Sequence, residues 1–321
     1  MRSCARALAV SVLSLVFVAG LAPSASAVAI AWSSVGGAGN AADTTGFGAV
    51  AYDYNIGTYE VSNAEYADFL NAKAASDPLG LYNVFMGSTA SGGGIARTGV
   101  SGSFTYAPIV GRENRPVNFV SYYDSLRFAN WLTNGQGAGS TESGAYLLLG
   151  GTATPSNAFS ITRTSSGTVF ITNENEWYKG AYYSPTSTTY FDYPAGTDTQ
   201  TVCSAPTATA NRANCNNANL GQLSNVGSYT GSASPNGTYD QGGNIWEWNE
   251  AIILANFRGI RGGAFNNLDF RLSAADRSST TPSLEFNDVG FRIVMVPEPG
   301  TGLLMAIGLI GMAARRRSAV R

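Results

Sequence analysis

The stretch Asp240-Gln-Gly-Gly-Asn-Ile-Trp-Glu-Trp-Asn-Glu250 constrains this chain more than any other. In an extended segment side chains alternate, so Trp246 and Trp248 share one face and belong to a core, while Glu247 points the other way. Gly242 and Gly243 let the backbone turn tightly just before them. Asp240, Asn244 and Glu247 then offer oxygens that suit a hard cation such as calcium, although carboxylates beside a glycine turn are often only solvated or hydrogen-bonded.

The two ends read as processing segments. Arg2 and Arg6, the apolar run Ala7 to Leu21, and Ala25-Ser26-Ala27 follow the order of a secretory signal peptide over residues 1–27. At the other end Pro297-Glu298-Pro299 precedes the apolar run Gly302 to Ala314 and the basic tip Arg315-Arg316-Arg317. A helix of that apolar length rises about 20 Å, short of the roughly 30 Å hydrocarbon core of a bilayer. A simple membrane anchor is the plainer alternative to a sorting tail at 297–321.

Residues 28–296 form the body, with 13 Lys and Arg against 20 Asp and Glu. No basic stripe is available to neutralise phosphates, so nucleic acid is excluded as a partner. The chain has no histidine, which removes every mechanism written around imidazole and the commonest transition-metal ligand. Cys203 and Cys215, twelve apart in an exported chain, read as a loop-closing disulfide ahead of a pair of reactive thiols. Cys4 falls inside the expected leader.

Trp32 to Val50 reads as a strand and an open loop, and Tyr52 to Val61 as a hairpin or paired strand. Ser62 with Glu65, and Asn173 with Glu176, have the spacing of helix capping boxes, and Ser121 with Asp124 opens a further helix through Leu132. Tyr66, Phe69 and Leu70, then Leu126, Phe128 and Trp131, are the buried stripes. Tyr146–Leu149, Val169–Ile171, Ile252–Ala255 and an alternating final run, Phe286 to Val294, are strand candidates. Arg261, Arg271, Arg277 and Arg292 are expected to pair with carboxylates such as Asp276 or Glu176. Residues 75–116 and 186–239 are loop-rich, and Tyr190 and Tyr193 in the second could stack on a sugar or peptide or be buried.

The ordered set Tyr59-Glu60-Val61-Ser62-Asn63, Pro116-Val117, Val120-Ser121-Tyr122, Glu174-Asn175-Glu176-Trp177, Gly243-Asn244-Ile245-Trp246-Glu247-Trp248, Arg261-Gly262-Gly263 and Asn287-Asp288-Val289-Gly290-Phe291-Arg292 resembles the formylglycine-generating enzyme family, the sulfatase-modifying factor domain. The tail resembles the PEP-CTERM sorting signal of Gram-negative bacteria. The first resemblance implies an α+β, loop-rich fold related to C-type lectin domains, with bound structural calcium. Carried over by position, Asp240 and Glu247 would give carboxylates to calcium, Gly243 and Ile245 carbonyls, and Asn219 and Leu220 would begin a second site. The second implies a membrane sorting peptidase and residence at the cell surface or extracellular matrix.

Active members of the copper-dependent branch place a cysteine pair, five apart, where this chain has Leu268 and Ser273. Neither residue replaces a soft thiolate, so copper is not expected. The Arg-Leu-Pro-Thr run of the family is here Phe170-Ile171-Thr172-Asn173. Iron chemistry known in composite relatives lacks its histidines. The resulting expectation is a non-catalytic, calcium-stabilised surface module that binds a glycan, a peptide or an envelope protein. The alternative is a formylglycine-generating oxidase of peptidyl cysteine, or another reaction with Asp269, Arg271, Ser273 and Arg277 lining the pocket.

Overall fold

The computed structural model describes residues 27–296, so the leader apart from Ala27, and the whole tail 297–321, lie outside the described residues. Two four-stranded sheets and three helices carry the architecture. The strands are β1 (Trp32–Val35), β2 (Tyr54–Gly57), β3 (Val169–Ile171), β4 (Trp246–Ile253), β5 (Phe257–Arg261), β6 (Ser278–Thr280), β7 (Val289–Phe291) and β8 (Ile293–Met295). One sheet has the order β1-β2-β8-β3 and the other β6-β5-β4-β7. The helices are α1 (Asn63–Lys73), α2 (Tyr122–Thr133) and α3 (Glu174–Tyr182).

All three helices begin where side-chain oxygens satisfy the first free amides. In α1 the Glu65 amide donates to Ser62 Oγ at 3.3 Å while the Ser62 amide donates to Glu65 Oε2 at 2.7 Å. The Ser121 amide donates to Asp124 Oδ2 at 2.9 Å, and the Asn173 amide to Glu176 Oε2 at 2.8 Å. Fixing the starts fixes which faces turn inward. Tyr66 and Phe69 of α1 therefore meet Phe128 and Trp131 of α2, with Phe69 and Trp131 centroids 5.3 Å apart, and Phe128 meets Phe291 of β7 at 5.4 Å.

The last strand of the alternating run is in fact two. Residues 289–291 pair parallel to β4, with Trp246 opposite Val289 and Trp248 opposite Phe291. The chain then passes Arg292 and joins the other sheet, where Ile293 faces Ile171 and Val294 faces Ile56. Alternation alone could not show this switch, because both halves keep the same period.

Other expectations shift in the same way. Tyr52 to Val61 supplies a paired strand and no hairpin of its own: β2 pairs with β1, the strand before it, and with β8 at the far end of the body. The strand expected at Ile252–Ala255 is the end of β4, and Leu254 and Ala255 form the turn at φ 49° and 64°. Tyr146 makes only an isolated bridge to Arg163. Cys203 and Cys215 are joined in a disulfide with Cα atoms 4.9 Å apart, closing a short loop within the loop-rich region.

Candidate functional site

The turn before β4 is built from left-handed backbone. Asp240 and Asn244 both have φ 60° and Gly243 has φ 85°, a region that asparagine, aspartate and glycine enter at least cost. A Cβ on Gly243 would stand 2.4 Å from the Asn214 carbonyl oxygen, so only glycine fits this crossing. Asn244 locks the turn to three other segments. Its Oδ1 accepts from the Ser224 amide at 3.0 Å and from Asn214 Nδ2 at 3.1 Å, and its Nδ2 donates to Glu60 Oε1 at 3.0 Å.

Glu247, facing away from the two tryptophans, is as buried as they are. Trp177 Nε1 donates to Glu247 Oε2 at 2.7 Å, and Arg292 donates to the same carboxylate through Nε at 3.0 Å and Nη2 at 2.8 Å. Arg292 also donates to the carbonyls of Gly57 and Tyr239, both at 2.7 Å. Its Nη2 lies 3.8 Å from Glu60 Oε2, an oxygen with no hydrogen-bond partner of its own. One guanidinium at the passage between the sheets thus faces Glu247 and Glu60, and Asp240 also acts on it through its charge.

Several of the oxygens expected to hold calcium already have partners within the protein. Calcium takes six to eight oxygens at about 2.3–2.6 Å, preferably anionic and unshielded. Glu247 has both oxygens engaged by cationic or N–H donors, and the Gly243 carbonyl already accepts from the Ile245 amide at 2.8 Å. Asp240 Oδ2 accepts from the Gly227 amide, and Ile245 is wholly buried beside Leu223 and Phe265. Three buried carboxylates, Glu60, Asp240 and Glu247, share the one Arg292 guanidinium here. Among the described residues no group of three or more His, Cys, Asp or Glu is placed to hold a metal ion. At the residues expected to begin a second site, Asn219 Nδ2 donates to the Gln222 carbonyl, and Leu220 is 88% exposed. If calcium is held at this turn, a chelator is expected to lower the melting temperature by several degrees, taking roughly 2–4 °C per kcal/mol as the scale, and added calcium to restore it. A melting temperature unchanged on chelation would remove the metal from the reading.

Leu268 and Ser273 flank a short 3-10 turn, Asp269–Leu272, with Leu268 exposed. The fold does bring the body cysteines to this loop, which their sequence positions do not reveal. Cys215 packs against Leu272, with Cys203 beside it, and the Asn216 amide donates to the Asn267 carbonyl. Both sulfurs are bonded to each other, so no free thiol pair stands at the loop. Arg271 pairs with Asp276 at 3.1 Å, as the sequence anticipates, and Arg277 forms a forked bond to Glu174 at 2.9 and 2.6 Å. Arg261 takes the same Glu174 at 2.9 Å, while Glu176 is held by Arg163 at 2.6 and 2.7 Å. These forks leave Asp269 and Ser273 without an activated partner. Tyr190 donates to the Ala41 carbonyl and packs on Tyr178 and Tyr183 at the edge of a cavity of about 560 Å³; Tyr193 is half-buried.

Sequence reasoning missed Glu60, Glu174 and Arg163. Glu174 and Arg163 sit among polar residues, as surface charges do, and the only signal was Glu60 lying between Tyr59 and Val61. Burial raises the pKa of Glu60 well above the usual range, with the Asp240 charge adding to it, and pushes Asp240 up to about 6. A second acidic group behaves likewise: burial pushes Asp124 up to about 6 and Glu285 up to about 7, the latter helped by Asp124. A raised folded-state pKa contributes stability that is complete below the unfolded value near 4 and is lost as pH rises through 6 to 7. The protein is expected to melt several degrees higher at pH 5 than at pH 8 at fixed ionic strength. Differential scanning calorimetry showing the reverse order would refute it.

Comparison with known proteins adds three findings. The family described as "Sulfatase-modifying factor enzyme 1-like domain" matches residues 41–296, and the PEP-CTERM protein-sorting motif matches residues 296–317. Among solved structures, Treponema denticola variable protein 1 superposes with a TM-score of 0.55 at 16% identity, covering 85% of this chain and 98% of its own. CarF superposes with a TM-score of 0.54 at 20% identity, covering 84% and 99%. At these identities the likeness establishes the shared fold alone. No curated protein sequence matches the chain. The sorting motif marks the protein for export to the cell surface or extracellular matrix of a Gram-negative-type bacterium, with processing by a dedicated membrane peptidase.

Proposed function

Because this chain belongs to the sulfatase-modifying factor enzyme 1-like domain family, we propose that it is a non-catalytic binding module of the cell surface or matrix, taking a glycan, a peptide or another envelope protein. The observation that carries this reading is the loop 268–273, where Leu268 and Ser273 stand in the positions of the family's thiol pair while Cys203 and Cys215 are spent on a disulfide. A hydroxyl with a high pKa and an alkyl side chain cannot supply soft metal ligands. Copper has no place in this reading, and calcium at Asp240, Gly243, Ile245 and Glu247 is the part of it that rests on the family likeness. The relation to C-type lectin domains is part of the proposal: loops held by disulfide and arginine forks present recognition surfaces on a rigid scaffold.

A glycan array and an array of envelope proteins, probed with the purified protein, test the reading. Saturable binding to one class is the expected result, and silence on both arrays refutes it. In parallel, a sulfatase-type cysteine peptide incubated with the protein, copper and oxygen is expected to keep its thiol by mass spectrometry. Conversion to formylglycine would replace the binding reading with the oxidase.

A further inference from the structure

A cavity of about 560 Å³ lies between the loop 37–44 and the hairpin that pairs Tyr183 with Tyr190 and Ser184 with Thr189. Its volume falls in the roughly 300–1,000 Å³ range of small-molecule sites. The loop side is nearly bare of side chains, with Gly37, Gly39, Ala41 and Ala42 exposed, while Thr188 and Thr189 supply hydroxyls from the hairpin side. The loop is held in shape by its neighbours. Tyr190 donates to the Ala41 carbonyl at 3.0 Å and accepts from Asn40 Nδ2, which also donates to the Gly48 carbonyl at 2.8 Å. The buried Lys179 donates to the Gly37 carbonyl at 2.8 Å. Gly37 and Gly39 are left-handed, at φ 77° and 76°, so the loop curves. Among the described residues the amides of Ala41 and Ala42 and the carbonyls of Gly39 and Ala42 make no hydrogen bond. Tyr183 is only 4% exposed, yet its hydroxyl has no partner among the described residues and is not sealed from solvent: it opens onto this cavity.

Charge does not select the ligand here. Among the residues lining the cavity only Asp43 is charged, and its carboxylate is already engaged: Oδ1 accepts from the Thr44 amide at 2.6 Å and Oδ2 from the Tyr178 hydroxyl. What remains is a mixture of hydroxyls, amide donors and carbonyl acceptors beside the rings of Tyr183 and Tyr190, whose centroids are 5.1 Å apart. An extended peptide needs a straight row of alternating donors and acceptors, which the two left-handed glycines interrupt. A sugar ring carries hydroxyls that donate and accept at once around an apolar face, and that combination matches these walls. We propose that this cavity binds an uncharged pyranose of a glycan, with one sugar hydroxyl on the Tyr183 hydroxyl and others on the main chain of Ala41 and Ala42. The inference rests on the binding-module reading and selects the glycan from its partner classes.

The test follows the purified protein by heteronuclear NMR through titrations with the methyl glycosides of glucose, galactose, mannose and N-acetylglucosamine, beside glucuronic acid and glucosamine as charged counterparts. At least one neutral glycoside is expected to shift the Ala41, Ala42 and Tyr183 resonances saturably, and neither charged sugar to bind more tightly than it. Tyr183→Phe deletes only the unpartnered hydroxyl; it should weaken the neutral sugar about five- to tenfold, the scale of one lost hydrogen bond, and leave the melting temperature unchanged. Ala42→Trp fills the cavity from an exposed position and should abolish the shifts. Silence of all the glycosides, shifts centred elsewhere, tighter binding of a charged sugar, or undiminished binding by either variant would each overturn the assignment. Array binding confined to peptides or envelope proteins would remove this site and leave the binding module standing, whereas silence on every array removes both.

Discussion

Arg292→Met is expected to cost about 3–5 kcal/mol, the scale for leaving a buried charge without its partner. Arg292 is fully buried, and in its absence Glu247 keeps only the Trp177 indole while Glu60 loses the cation nearest its unpartnered oxygen. The two carbonyl acceptors at Gly57 and Tyr239 lose their donor as well. Urea unfolding of the purified variants measures the loss. The double variant Arg292→Met with Glu247→Gln should recover part of it, because a neutral amide needs no counter-ion. A single variant whose midpoint matches that of the unaltered protein would show that the ion pair is peripheral to stability.

Trp248→Ala is expected to cost about 3–5 kcal/mol, as for other large aromatic truncations in packed cores. Trp248 is fully buried, its Nε1 donates to the Val120 carbonyl at 3.1 Å, and its ring meets Tyr122 edge to face at 6.0 Å. The truncation opens a cavity between β4 and the start of α2 and orphans a carbonyl. Trp248→Phe should cost clearly less, since it keeps most of the ring volume and loses mainly the hydrogen bond. Equal costs for the two variants in the same unfolding series would contradict the packing account.

Much of the scaffold was legible from local rules. The capping pairs at Ser62, Ser121 and Asn173 place the starts of all three helices, because a cap is a short-range arrangement written in four consecutive residues. The aromatic stripes and the disulfide were legible for the same reason. The pairing of β2 with β8 was not, since register between strands more than two hundred residues apart leaves no mark in either strand alone. At the candidate site, the glycine turn and the buried tryptophans could be read from the letters. The fate of Glu247 could not, because whether a carboxylate meets a cation or a guanidinium depends on Arg292, which arrives from 45 residues away. Glu60 stayed hidden because its missing partner is a property of three-dimensional surroundings.

The passage of the chain from β7 to β8 through Arg292 has a bearing on the order in which the fold closes. Those few residues complete both sheets, lending β7 to β4 and β8 to β2 and β3. Until they emerge, β2 and β3 lack the strand that lies between them, and the Glu247 carboxylate lacks its counter-ion. Long-range pairing of this kind makes closure late and slow. Neither sheet can be completed until residues 289–295 are available, so the two sheets are expected to close together and last.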